Sequence, residues 1–429
     1  MSSITRRNAL LSGLATATGV VVHFGGVASL LSASPAQAAP GKPETTSVEL
    51  GFIALTDAAP LIVAQEKGFF AKQGMSGVKL KKQTSWAVTR DNLELGGARG
   101  GIDGAHILSP MPYLLTTGAI SKSKKPVPMF ILARLNTNGQ AISASNDFKK
   151  YKFRTQTPTI AKAIAEKNKT GDKFKAAVTF PGGTHDLWMR YWLAANGVDP
   201  NKQADLVVIP PPQMVANMKV DKMDGFCVGE PWNLRAIADN IGYTVTTTQK
   251  MWPDHPEKVC AFTEEFAAKN PNTVTAVLKA LHLASEHIDK MENRPAVAEV
   301  ISRPTYINCP KEIILDRLKG VYNYGDGRKE QDPNYMIFSQ RNCNFPAKTF
   351  GYWWLSQFRR WGMVKGAPNY KQVVDKVIRP DLYATAMKDL GVKVPATDMV
   401  PAKLADGVFD PKDPEKYAKS FAIHSRVEA

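Results

Sequence analysis

The chain reads as an α/β protein in which mostly parallel strands alternate with helices. Short apolar runs of strand character, at 48–55, 104–108, 127–135, 176–180, 206–209 and 225–228, are interleaved with stretches of helical spacing. Several runs stop at Pro- or Gly-bearing turns, such as Ser109-Pro110-Met111-Pro112 and Pro181-Gly182-Gly183, where a strand can hand over to a helix. The length, 429 residues, suffices for two domains with sizeable cores. Such alternation places helices on both faces of a mostly parallel sheet.

In order along the chain, residues 1–38 come first. Arg6-Arg7 precedes a weakly apolar run rich in Gly, Ala, Thr and Ser, and Ala36-Gln37-Ala38 offers a small-residue cleavage site. Paired arginines there predict a cleaved twin-arginine export signal. The alternative is a retained membrane anchor, but His23, Gly25 and Gly26 break the run, which is poor in Leu and Ile. No other stretch reaches the length of a membrane span.

The 48–55 run alternates as a strand should. Asp57 and Pro60 then open a helix that ends near Gly68. After the runs at 104–108 and 127–135, the 176–180 strand stops at Pro181-Gly182-Gly183. Thr184 can cap a helix from His185 to about Asn196, with Gly197 as its stop. A glycine turn entering a helix leaves backbone N–H groups at the positive end of a dipole, a geometry suited to a small anion. The strands at 206–209 and 225–228 also end in polar or Pro turns, and in an open α/β sheet such ends converge on one crevice. Asn270 and Pro271 cap a long helix whose Val274, Val277, Leu278, Leu281, Ala284 and Ile288 form a core face. From 303 to 346 the pattern weakens and Pro, Asn, Asp and Gly accumulate. Tyr352-Trp353-Trp354 with Phe358 and Trp361 marks the buried face of a further helix.

The formal charge of +16 raises the question of nucleic acid. The basic residues are interspersed with acidic ones, without a block of about five like charges, so general attraction for anions is the better reading. Four cysteines do not make a disulfide scaffold, and no Cys/His spacing suggests zinc. Cys309 and Cys343 lie in irregular segments and could pair. Cys227, inside an apolar strand, reads as a small buried residue. No Ser/His/Asp order, paired-carboxylate motif or phosphate loop stands out. Asp186 next to His185 is no dyad, because neighbours on a helix do not face each other. What remains is a set of polar groups suited to holding a small anion.

The wording of several motifs narrows this. GTHDLW, GEPWN and HPEKV, with the segments 51–70 (GFIALTDAAPLIVAQEKGFF), 100–113 (GGIDGAHILSPMPY) and 358–362 (FRRWG), together resemble the nitrate- and bicarbonate-binding receptors of ABC transporters. The resemblance spans most of the mature chain. It implies a two-lobed periplasmic-binding-protein fold of type II, each lobe a mostly parallel sheet with flanking helices and a cleft between. It divides the chain into 47–138 as the first part of lobe I, 139–262 as lobe II, and 263–429 as the completion of lobe I with a C-terminal extension. It implies a periplasmic monomer, with a peripheral place at the inner membrane as the alternative, that binds nitrate, with nitrite as a further candidate, and passes it to ABC permease subunits. Neither an enzyme nor a cofactor or metal is implied.

By motif position the pocket would comprise Trp86, Gln140, His185, Pro211, Gly229 and Lys258, with Pro211 shaping a wall. In the resemblance, Lys at the HPEKV position goes with nitrate, and an acidic residue there with bicarbonate and calcium. Nitrate cannot donate a hydrogen bond, so its site wants donors, a cation and apolar walls. Each pick has a plainer alternative: a core aromatic for Trp86, an exposed loop amide for Gln140, a surface helix-end residue for His185, a solvated loop charge for Lys258. Glu230 is expected as a helix cap or hinge contact. Two other functions stand as rivals: a bicarbonate receptor, and an enzyme of thiamine-precursor-synthase or sulfinate-hydrolase type, for which Cys227 is the one candidate reactive thiol.

Overall fold

The computed structural model describes residues 41–425; the predicted export signal lies outside them. Eleven strands build the part of the molecule that matters for the site: β1 Ser47–Phe52, β2 Gly77–Lys82, β3 Gly104–Leu108, β4 Met129–Arg134, β5 Thr137–Asn138, β6 Gln140–Ser145, β7 Phe174–Val178, β8 Ala204–Val208, β9 Gly225–Gly229, β10 Gly242–Thr247 and β11 Lys258–Thr263. Two five-stranded sheets result, ordered β2-β1-β3-β11-β4 and β10-β6-β9-β7-β8. β3, β4 and β9 are buried throughout, as strands covered on both faces by helices must be. The α/β alternation is as the sequence predicted, and the two-lobed architecture as the resemblance implied.

Both sheets follow one plan. In the first, β1 pairs parallel with β2 and β3, while β11 runs antiparallel between β3 and β4. In the second, β7 pairs parallel with β8 and β9, while β6 runs antiparallel between β9 and β10. The reversed strand of each sheet is the one that has just crossed from the other lobe. The crossing segments lie side by side: Leu135 N–H donates to Lys258 O at 2.8 Å, Asn138 N–H to His255 O at 3.2 Å, and Lys258 N–H to the Asn136 side chain at 3.2 Å.

Several local expectations shift. The boundary expected at 262/263 falls before Lys258, because β11 hydrogen-bonds into the first sheet. The stretch from 263 onward completes lobe I only in part. Tyr324 O accepts from Thr244 N–H on β10 at 2.8 Å, Arg317 pairs with Glu230, and Met336–Ile337 adds a strand to β5 at the crossing. The irregular-looking 303–346 segment also holds the helix Lys311–Leu318 and a small ribbon, 321–323 with 329–331. These elements are too short for periodicity to show.

Two helix caps are not the residues the sequence nominates. The helix Pro271–Asp289 gets its N-terminal partner from Glu44, whose carboxylate accepts from Asn272 N–H at 3.0 Å and Thr273 N–H at 2.8 Å. Asn270 instead donates to Phe266 O, closing the preceding helix. Helix Thr184–Ala195 starts one residue early, and Thr184 makes no cap bond. Asp186 accepts from Gly182 N–H at 2.7 Å and holds Arg190 at 2.8 Å. Gly197 ends that helix at φ 78°, the left-handed conformation glycine tolerates. Cys309 and Cys343 do not pair; all four cysteines are free and buried. Among the described residues, no helix is long and apolar enough to cross a membrane.

Candidate functional site

The two reversed strands decide where polar residues collect. Because β6 and β11 run against their neighbours, their first residues sit beside the last residues of the parallel strands: Gln140 opposite Gly229, and Lys258 opposite Leu108. The facing edges of the two sheets therefore bring strand starts and strand ends together. Trp86 opens the helix Trp86–Leu95 that follows β2, held by Ser85, which accepts from Val88 N–H at 3.2 Å. His185 is in the first turn of Thr184–Ala195. Asp57 lies in the turn Thr56–Ala58 after β1, and His106 stands within β3.

Trp86, Gln140, His185, Lys258, Asp57, His106 and Glu257 are all fully buried. Lys258 Nζ is the hub. It lies 2.9 Å from Asp57 Oδ2 and also donates to Glu257 Oε1. Asp57 Oδ1 accepts from His106 Nε2 at 2.6 Å, and Glu257 Oε1 from His185 Nε2 at 2.9 Å. The Trp86 ring lies under the ammonium at 5.6 Å, with His106 beside it. One ammonium is thus shared by two carboxylates, and each carboxylate takes the N–H of one imidazole. Burial works against the Lys258 charge, but Asp57 and Glu257 outweigh it and raise its pKa. Burial works against the Glu257 charge too, yet Lys258 and His185 hold its pKa well below the usual carboxylate range. Burial depresses both histidines despite their carboxylate neighbours.

The lobes meet at this cluster. A Cβ on Gly229 would lie 3.1 Å from Asp57 Oδ2 and 3.8 Å from Glu257 Oε1, so a side chain there would crowd the Asp57 carboxylate where β9 approaches it. Thr56 N–H donates to Glu230 O at 2.8 Å, and Trp232 Nε1–H to Ala54 O at 3.0 Å, across the gap. Glu230, expected as a cap or hinge contact, accepts from Leu234 N–H in the first turn of the helix Trp232–Ala238 and pairs with buried Arg317 at 3.0 Å. Several buried polar atoms around the hub have no partner, among them Trp86 Nε1, both side-chain atoms of Gln140, Glu257 Oε2 and His106 Nδ1. Buried orphans are costly unless something completes them.

Five of the six nominated residues converge here: Trp86, Gln140, His185, Gly229 and Lys258. Pro211 is buried in the turn after β8, and none of the contacts above ties it to the cluster. The exposed alternatives for Gln140, His185 and Lys258 fall away. His185, however, is not a free donor: Nε2–H goes to Glu257, and Nδ1 accepts from Thr179 Oγ1 at 2.5 Å. Nor does the glycine turn offer all its N–H groups, since Gly182 donates to Asp186 and Gly183 to Phe180 O. Sequence reasoning missed Asp57, His106, Glu257 and Thr179. A histidine inside the otherwise apolar β3 was the one readable signal. Cys227, the candidate enzyme nucleophile, is buried in β9 with its thiol pushed well up by desolvation, the opposite of a reactive cysteine. Among the described residues, no three His, Cys, Asp or Glu side chains are grouped to hold a metal ion.

The sequence matches the NMT1-like family over residues 41–302. It is 52% identical over 381 residues to the nitrate/nitrite binding protein NrtA of Synechococcus elongatus, covering 87% of this chain and 86% of that one. It is 38% identical over 397 residues to the bicarbonate-binding protein CmpA of Synechococcus elongatus, covering 89% and 87% respectively. The crystal structure of the periplasmic nitrate-binding protein NrtA from Synechocystis PCC 6803 superposes with a TM-score of 0.86 at 45% identity, covering 89% of this chain and all of that one.

Proposed function

The chain belongs to the NMT1-like family, and from that premise we propose that it is an extracytoplasmic receptor that captures nitrate, and nitrite with it, between its lobes for delivery to an ABC permease. It is a transport receptor and not an enzyme. The observation that carries the nitrate reading is Lys258, buried in the interlobe gap beside the unpartnered donors of Trp86 and Gln140. Two of the three ammonium protons go to Asp57 and Glu257, leaving one for an anion. Nitrate is planar and accepts only, so it would take the remaining Lys258 proton, Trp86 Nε1–H and Gln140 Nε2–H. Gly229 would admit it by lacking a side chain. His185 would act chiefly by holding Glu257, and Pro211 would shape the second lobe's edge.

Ligand would enter an open cleft, the lobes would turn about the paired crossing segments, and the closed form would dock on the permease. Closure excludes water and strengthens the charged contacts. Bicarbonate is the lesser reading, because the HPEKV position carries Lys258 and the nitrate/nitrite relative is the more similar of the two. Export by the twin-arginine route with cleavage after Ala38, a monomeric state and a lobe division whose second boundary falls before Lys258 complete the proposal. Titration calorimetry of the purified mature protein with nitrate, nitrite and bicarbonate tests the ligand. Saturable nitrate binding is expected, and bicarbonate binding in its place would overturn the reading. Arg6→Lys with Arg7→Lys tests the route: normal export of the double variant would refute it.

A further inference from the structure

The charge of the closed site does not suit the anion it is proposed to hold. Two buried carboxylates, Asp57 and Glu257, face one ammonium, Lys258. A carboxylate can only accept, so His106 Nε2 and His185 Nε2 both carry their protons. His185 Nδ1 is turned to Thr179. His106 Nδ1 is different: it is a buried nitrogen with no partner. With Nε2 protonated and the imidazole neutral, Nδ1 is a bare lone pair. The empty cluster then carries one net negative charge, and nitrate would bring a second among groups fully shielded from solvent, where like charges repel strongly.

We propose that nitrate binds together with a proton, which His106 takes up at Nδ1. The step moves one proton from solvent to that nitrogen and breaks no other bond. The resulting imidazolium keeps its Nε2–H on Asp57 and turns the orphan lone pair into a donor. It also restores the net charge that the empty cluster had.

The surroundings of His106 leave few other proton acceptors. Asp57 faces it from the turn after β1, and Lys258 with Glu257 from the start of β11. Its register partner on β11 is Cys260, a thiol pushed up to about 12 by burial. The helix that follows β2 presents the Trp86 ring, while its charged residues, Arg90, Asp91 and Glu94, are partly exposed. The helix Met111–Thr116 carries no charged residue. His185 is the competing site, already bonded at both nitrogens.

The inference rests on nitrate being the ligand, and the experiment separates the two. Nitrate is titrated calorimetrically into the mature protein in phosphate and in Tris at one pH, and Kd is followed from about pH 6 to about pH 9. Proton uptake makes the apparent enthalpy differ between the buffers and weakens binding as pH rises, by up to about tenfold per unit. His106→Gln keeps an N–H for Asp57 but cannot titrate, so buffer and pH dependence should vanish. Equal enthalpies in both buffers with a flat Kd in the wild type overturn the proposal while leaving nitrate as ligand. Uptake that survives in His106→Gln and is lost in His185→Gln overturns the assignment to His106. No nitrate binding at all overturns the ligand itself.

Discussion

Lys258 is held by opposite charges in a place water cannot reach, and this sets what its loss should do. Removing one partner of a buried ionic group costs about 3–5 kcal/mol, because the remaining charges are left uncompensated. Lys258→Met should therefore lower stability by that order and abolish nitrate binding. Adding Asp57→Asn should recover part of the stability but none of the binding, since the anion's cation is still missing. Urea unfolding beside calorimetry reads both; recovered binding in the double variant would remove Lys258 from the site. His255 gives a second residue-scale prediction. Its Nδ1–H faces the Pro256 carbonyl and its Nε2 the Thr248 hydroxyl, and burial lowers its pKa from 6.5 to about 4. A depressed folded value means the stabilisation is full above the unfolded pKa, near 6.5, and is lost as pH falls toward 4. That is worth about 3 kcal/mol, and the depressed His106 and His185 act in the same direction. Unfolding free energy should fall between pH 6.5 and pH 4, and His255→Gln should flatten the slope. An unchanged slope would mean another group sets the acid limit. At this scale the motif residues were legible because their neighbours in sequence are distinctive. Asp57 and Glu257 were not, because a carboxylate in a proposed anion site contradicts the simple charge rule. Only the sharing of Lys258 between them makes it reasonable.

Among elements, alternation and turn residues announced the strands and long helices to within a few residues, since each carries its own periodic signal. Partners distant in sequence did not show. Glu44 caps the helix Pro271–Asp289 from the other end of lobe I, and nothing near residue 44 betrays it. Its carboxylate at a helix N-terminus is favoured by both hydrogen bonds and dipole. Glu44→Ala should cost roughly 1–2 kcal/mol of stability by chemical denaturation and leave nitrate affinity unchanged. A loss of affinity instead would mean that this helix end communicates with the cleft. The ribbon at 321–323 and 329–331 and the strand Met336–Ile337 were equally hidden. They are short, and their place is set by the β10 edge and by β5.

For the whole molecule, the helix Lys348–Arg360 couples the lobes. Trp354 Nε1–H donates to Ser109 of the first lobe at 2.9 Å, while the Trp353 ring packs 5.1 Å from that of Trp188 in the second. Opening the cleft must disturb one of these contacts. Trp354→Phe removes a buried hydrogen bond worth about 1 kcal/mol and should shift the free protein toward the open form. Small-angle scattering should show a larger radius of gyration without nitrate and the wild-type value with it. Identical profiles with and without nitrate would deny that closure accompanies binding. The aromatic run at 352–361 was readable as a buried face. That it touches both lobes was not, because burial alone does not say which neighbour does the burying.

The four unpaired cysteines have a consequence of another kind. Cys227 belongs to the second sheet, Cys260 to the first, and Cys309 and Cys343 to the segments that bind the lobes together. Desolvation raises all four thiols, Cys309 to about 11 and Cys260 and Cys343 to about 12, so the reactive thiolate is scarce until each site is exposed. They amount to internal clocks, one in each sheet and two in the joints. An alkylating reagent followed by mass spectrometry would time the exposure of each region separately, on the unmodified protein. Nitrate should slow every clock whose exposure requires the lobes to part, and a clock it leaves unchanged would mark a region that opens on its own.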